Sequence, residues 1–300
     1  MRVVIAGGTG LIGRPLAASL AADGHQVAVL SRSPELAPPF PGGVRVVRWD
    51  AHTRRGWVHL ADGAKAIVNL AGASLNRRWT RRNRELIEQS RLNAGKAVVD
   101  AVREARRKPD VVIQASGAGC YGPRGDEIIT EEAGFGDGFL GRTAAAWEAS
   151  TVAVEERGVR RAIIRTGVVL SNEGGALPLL VLPFRFYIGG PLGSGRQWLP
   201  WIHEDDQVRA IRWLIEKDDG AGPFNLSAPN PVTNAEFSRL LGRITERPAV
   251  VRAPAFALRL ALGKMSTVVL EGQCALPQRL SEMGFKFCFS QAEAALRDLL

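Results

Sequence analysis

The chain predicts an α/β fold built on a doubly wound parallel sheet, followed by a smaller and mostly helical C-terminal region. Three observations carry that prediction. Short apolar runs alternate with longer stretches of helical spacing, the runs are continuously apolar, and a glycine-rich turn joins the first run to the first helical stretch. A short, continuously apolar run suits a strand covered on both faces, as in a parallel sheet flanked by helices. Repeated strand–helix alternation then favours crossover units.

In chain order, strands are expected at residues 2–6, 26–30, 44–48, 66–70, 111–115 and 161–166. Helices are expected at 11–23, 82–107 and 138–157, and in the second of these Ile87, Ala94, Val98, Ala101 and Val102 recur at helical spacing. After Ser171 the regularity fades, and the glycines and proline between Gly189 and Gly195 mark a loop. Helical spacing returns at 203–217 through Val208, Ile211, Leu214 and Ile215. Thr233 and Glu236 have the spacing of a capping box for a helix carrying Phe237, Leu240, Leu241 and Ile244. Residues 1–170, with sheet-completing elements to about 230, are therefore expected to form one domain. Residues 171–300 form a smaller region whose last part begins near 250 and reads as helices and loops.

Three hundred residues with a formal charge of +9 can bury a sizeable core. The charge is concentrated: residues 77–108 hold eleven Lys/Arg and four Asp/Glu, an excess of +7. That segment reads as a solvated helix face or as a rim for an anionic ligand. Apart from Trp79 no aromatic side chains interleave with the arginines, so nucleic acid is not an expected partner. Cys120, Cys274 and Cys288 form no metal-type or redox-type spacing and the four histidines are scattered, which predicts no metal site and fits a reducing cytoplasm. The most apolar stretch, 176–184, is short and broken by Pro178 and Pro183, and no secretory leader follows Met1. No membrane span is expected, and no membrane partner; the expected partner is a small molecule, bound by a monomer or homodimer.

Gly7, Gly8, Thr9, Gly10, Leu11, Ile12 and Gly13 lie between the first strand and first helix. Strand, turn and helix in that order make the glycines a dinucleotide signature. Gly7 permits the turn, Gly10 lets backbone approach a pyrophosphate, and Gly13 lets the helix pack closely on the sheet. The helix N-terminus offers N–H groups and partial positive charge to the phosphates. The second strand ends at Ser31 and Arg32, with no carboxylate between Gln26 and Pro34. An acidic residue there would bind a ribose hydroxyl, whereas arginine suits a 2′-phosphate. NADP(H) is therefore the expected cofactor, with NAD(H) as the alternative.

With those residues in place, the chain resembles the extended short-chain dehydrogenase/reductase superfamily, which has a Rossmann sheet. More narrowly it resembles NAD(P)-binding epimerase-family proteins that carry a C-terminal domain of unknown function, over nearly its whole length. The resemblance implies that Asp50 meets the adenine and that Asn69, Leu70, Ala71 and Gly72 line the cofactor. The stretches from Arg78 to Thr80 and from Ser90 to Asn93 resemble that narrower group's own signatures. Ser116 falls near the superfamily's catalytic Ser/Thr, with Tyr121 just beyond the same strand, and Arg165, which opens a later matching element, is expected among the cofactor-binding residues. Gly222 to Ser227, and the tail from about Val250, resemble the small C-terminal region.

The superfamily moves its proton with a Tyr-x-x-x-Lys pair, in which the lysine lowers the tyrosine pKa. Neither tyrosine of this chain has that partner: Gly125 follows Tyr121, and Pro191 follows Tyr187, at the required spacing. With Glu148 as anchor, the resemblance puts Leu140 and Ala144 at the two positions. Ser116 and Tyr121 are the remaining catalytic candidates, while Trp79, Arg142, Arg196 and Trp198 are candidate walls of a pocket for an anionic or sugar-like substrate. His203, Glu204 and Asp205 suit a helix start. Two functions follow: an NADP-dependent oxidoreductase or nucleotide-sugar-epimerase-like enzyme, or a cofactor-sensing binding protein with little catalysis, for example one linked to cell division.

Overall fold

All six expected strands form, and a seventh joins them at one edge. They are β1 (Arg2–Ala6), β2 (Gln26–Ser31), β3 (Val44–Arg48), β4 (Ala66–Asn69), β5 (Val111–Gly117), β6 (Arg160–Thr166) and β7 (Gly222–Leu226). They make one sheet in the order β7-β6-β5-β4-β1-β2-β3, with every neighbouring pair parallel. This computed structural model describes residues 1–300 except Pro38. The stretch from Gly222 to Ser227, which the resemblance likened to the small C-terminal region and which falls within the sheet-completing elements expected to about 230, supplies the edge strand β7. Phe224 and Leu226 are fully buried there, so the sequence's weak strand signal is overridden by tertiary packing.

The helices of eight residues or more are α1 (Gly13–Ala22), α2 (Arg81–Glu104), α3 (Phe139–Ala149), α4 (Leu177–Arg185), α5 (Glu204–Glu216), α6 (Asn234–Ile244), α7 (Ala255–Leu262) and α8 (Ala292–Leu299). Val3, Ile5 and Val29 bury against Leu16 and Leu20 of α1 and Ile211 and Leu214 of α5. Val4, Ala28 and Leu30 face the other way, against Ala94, Val98 and Val102 of α2. Alternate strand residues thus enter opposite cores, which is why the central stretches of β1 and β2 are apolar on both faces. Each large side chain so buried contributes about 1.5–3 kcal/mol.

The helix expected over 138–157 is shorter. It ends at Ala149, and Val152–Arg157 continues as a tighter helical turn. Ser150 turns its hydroxyl back to the Trp147 carbonyl at 2.6 Å, and it fills the notch left by Gly95 on α2. The two start signals hold. His203 Nδ1 accepts from Asp205 N at the head of α5, and both halves of the Thr233–Glu236 capping box are formed.

The C-terminal segment returns to the first domain. Cys274–Ala275 pairs in parallel with Ile128–Ile129, Leu280 and Phe285 enter the α1/α5 core, and α8 packs with α6 around Phe237 and Trp201. Among the described residues no helix is long and apolar enough to cross a membrane, and no cluster of metal-ligating side chains occurs.

Candidate functional site

Strand order reverses between β1 and β4, so their C-terminal ends open a crevice at the switch point, where doubly wound folds bind ligands. The glycine turn sits at that place. Gly7 has φ 79°, and a Cβ on it would lie 3.0 Å from the Leu70 carbonyl and Ala71 nitrogen, so the β1 turn and β4 loop touch. A Cβ on Gly13 would fall 2.5 Å from Gly8 Cα, which fixes α1 tightly on the turn. On Gly10 it would meet only the Gly7 carbonyl, at 3.3 Å. Gly10 is exposed, and α1 has neither a side-chain cap nor a carboxylate in its first turn. An uncapped helix start behind an open glycine is a cradle that a diphosphate fits. Thr9, Leu11 and Ile12 are half-buried around it.

Beside this cradle, Ser31 accepts from Ser33 N at 3.2 Å, which holds the end of β2 in a turn. Arg32 is exposed and has no ion-pair partner among the described residues; its carbonyl accepts from Arg48. Its guanidinium is therefore available to an anion. Asp50 is engaged locally, accepting from His52 N, Thr53 N and Thr53 Oγ1 at 2.6–2.8 Å. Partial burial pulls its carboxyl upward, but the Thr53 and His52 hydrogen bonds outweigh this and hold it below the usual carboxylate range. On the other side Asn69 is fully buried, donates to Gln114 Oε1 at 2.9 Å and accepts from Ala71 N. It fixes the strand end from which Leu70, Ala71 and Gly72 emerge. Gly72 lies against Arg91, whose guanidinium donates to Ala73 O and Ile87 O and stacks on Trp147. Burial lowers the Arg91 pKa to about 10.

Ser116, Tyr121 and Arg165 are brought together, by a residue the sequence offered only as an anchor. Glu148 of α3 accepts from Ser116 Oγ at 2.7 Å and takes a two-pronged ion pair from Arg165, both contacts at 3.0 Å. Arg165 also donates to the Tyr121 hydroxyl at 3.1 Å and to Glu131 O. Tyr121 in turn donates to Asn225 Oδ1 at 2.6 Å, and Glu131 Oε1 accepts from Asn225 N. The groups differ in access. Tyr121 is 1% exposed, with its hydroxyl enclosed by Arg165 and Asn225 rather than facing a cleft. Burial pushes its pKa up, against a partial offset from Arg165. Arg165 spends its donors inside the protein. Burial works against its charge, yet Glu148 outweighs that and raises its pKa. Ser116 gives its proton inward at the end of β5, which leaves its lone pairs free to accept.

Phe135 packs on the Arg165 guanidinium, 4.9 Å from ring centre to Cζ, and separates it from a groove of about 280 Å³ along the start of α3. Arg142 lines that groove. Of the other proposed pocket walls, Trp79 is buried edge-on against Phe139, Trp198 donates to Asp126, and Arg196 is exposed. Glu148, Asn225 and Glu131 were missed as site residues. For Glu148 one signal exists: it is the sole carboxylate on the Ala-rich helix α3.

The profile of the NAD dependent epimerase/dehydratase family matches residues 3–227. The chain belongs to that family. Residues 253–299 match a domain of unknown function, DUF1731. Epimerase family protein YfhF of Bacillus subtilis is 37% identical, over 100% of this chain and 98% of its own. A human epimerase family protein, SDR39U1, solved with NADPH, is 32% identical with a TM-score of 0.86, over 100% and 99% of the two chains. A nucleoside-diphosphate sugar epimerase from Corynebacterium glutamicum is 34% identical with a TM-score of 0.80, over 100% of this chain and 58% of its own. The NAD(P)-binding Rossmann architecture of the family is thus the architecture of this chain.

Proposed function

We propose that the chain binds NADP(H) in the glycine cradle and uses it to oxidise, reduce or epimerise a small anionic or sugar-like molecule. The observation that carries this reading is an open cradle at Gly10 and a polarised serine at the end of β5, both at the C-terminal edge of one parallel sheet. Gly7, Gly10 and the start of α1 would hold the diphosphate, Arg32 the 2′-phosphate, and Leu70, Ala71 and Gly72 the nicotinamide side. When bound, the cofactor supplies hydride transfer. The human relative's NADPH supports the phosphorylated form, as does the unpaired Arg32.

The chain's own part is proton handling and orientation. Ser116 accepts a hydrogen bond from a substrate hydroxyl, and because its own proton already points to Glu148 Oε1, a proton can pass through it to that carboxylate. Arg165 holds Glu148 in place, and Tyr121 with Asn225 holds Arg165. Tyr121 is therefore assigned to positioning. Its enclosure is also what favours the second reading, a cofactor-sensing protein with little turnover.

A screen of carbonyl compounds and nucleotide sugars, followed by NADPH absorbance and by product analysis for epimers, separates the two. Ser116→Ala is expected to lose about a hundredfold in kcat/KM while still binding NADPH, and Tyr121→Phe less than about tenfold. Full activity in Ser116→Ala would overturn the site; NADPH binding without turnover of any compound would favour the sensor.

A further inference from the structure

Two segments far apart in sequence share a face that the proposed chemistry does not use. The first is α4 with the loop after it; the second runs from Arg247 through α7. They are zipped together: Val251 N donates to Gly189 O, Ala253 N to Pro191 O, and Gly193 N to Ala253 O, at 2.8–3.0 Å. Arg247 also lies over the Tyr187 ring at 4.6 Å.

This face exposes a group of large apolar side chains. Leu182, Phe186, Ile188, Val250, Phe256 and Leu260 are all exposed, Phe256 at 73% and Leu260 at 79%. Helix α7, Ala-Phe-Ala-Leu-Arg-Leu-Ala-Leu in sequence, buries none of its eight residues. Tyr187, at the tip of the first segment, holds φ 62°, a left-handed conformation that costs a non-glycine residue energy. Large exposed apolar patches mark interaction surfaces.

Charge identifies the occupant. Helix α4 and its loop carry Arg185, the stretch from Arg247 through α7 carries Arg247, Arg252 and Arg259, and the exposed carboxylate Glu246 adjoins Arg247. Four positive charges against that flanking carboxylate leave the face net positive. A second copy of the same face would set like charges against each other, so self-pairing is disfavoured. Apolar tips ringed by arginine, with a net positive charge, are complementary to an anionic lipid surface, where the tips enter the headgroup layer and each cation adds attraction. We propose that this face docks the protein on an anionic membrane surface. The earlier expectation of no membrane partner rested on the length of apolar runs, which tests spanning and not surface docking.

The test is co-sedimentation of the full chain with phosphatidylcholine vesicles, with and without about one-third phosphatidylglycerol. Binding is expected only with phosphatidylglycerol, and it should weaken in high salt. Leu260→Glu and the pair Arg252→Glu with Arg259→Glu should each reduce it about tenfold or more, each lost cation alone being worth about fivefold. NADPH binding should be unchanged in these variants, which confirms that they fold. No binding to the anionic vesicles, or undiminished binding by the variants, overturns the proposal. So does a dimer, seen by light scattering, that Leu260→Glu dissociates, or selective binding of an acidic amphipathic peptide in place of vesicles.

Discussion

Cys120 and Tyr121 sit in the helical turn that follows β5, and both are about 1% exposed. Burial pushes the Cys120 thiol from its ordinary value near 9 up to about 12, with the Arg165 charge offsetting part of it. Folding therefore favours the protonated thiol. The folded pKa lies above the unfolded one, so this contribution is fully present below about pH 9 and is lost as pH rises from about 9 to about 12. Tyr121 shifts in the same direction and adds to the decline above its ordinary value of about 10. Thermal denaturation across that range should show falling Tm, and Cys120→Ala should flatten the earlier part. An equal slope in the variant would mean that the thiol is not closed off from solvent. The same enclosure explains why Tyr121 read differently in sequence and in structure. Its place after β5 was legible, whereas Asn225, which accepts its hydrogen bond, is 104 residues away.

At the scale of elements, the strand–turn–helix unit from Arg2 to Ala22 contains four glycines that differ in how closely other backbone approaches them. A methyl group at Gly13 collides with backbone at 2.5 Å, while one at Gly10 meets a single carbonyl at 3.3 Å. Gly13→Ala should therefore lower Tm markedly and remove NADPH binding. Gly10→Ala should keep a near-native Tm and weaken NADPH about tenfold or more, since it narrows only the approach to the diphosphate. Equal effects of the two on stability would contradict the division of labour. This unit was legible because its signals are local. The network under Ser116 was not: Glu148 and Arg165 are separated by 17 residues and meet only because α3 packs across β5 and β6. Helix α3 itself was overextended in the sequence reading, because nothing in the composition of 150–157 announces that Ser150 must fill the notch at Gly95.

Across the whole molecule, residues 1–170 followed the sequence closely because its strands, apart from the half-exposed edge strand β3, are buried on both faces and carry a continuous apolar signal. The later third was harder to read. Strand β7 is short, begins with Gly222 and Pro223, and gains its place from Phe224 and Leu226 packing into the sheet. The tail reaches back through Cys274–Ala275, Leu280 and Phe285, contacts whose partners lie far away in the chain. The architecture thus holds one crevice between β1 and β4, flanked by an unpaired Arg32 on one side and by Ser116 on the other. Binding of a phosphorylated dinucleotide in that crevice is the claim on which the functional reading depends. The direct measurement is a fluorescence titration of NADPH and NADH against the protein and Arg32→Ala. NADPH should bind at least about tenfold tighter than NADH, and the variant should lose this preference by weakening NADPH alone. Equal affinities, or a preference for NADH that Arg32→Ala leaves unchanged, would contradict that claim.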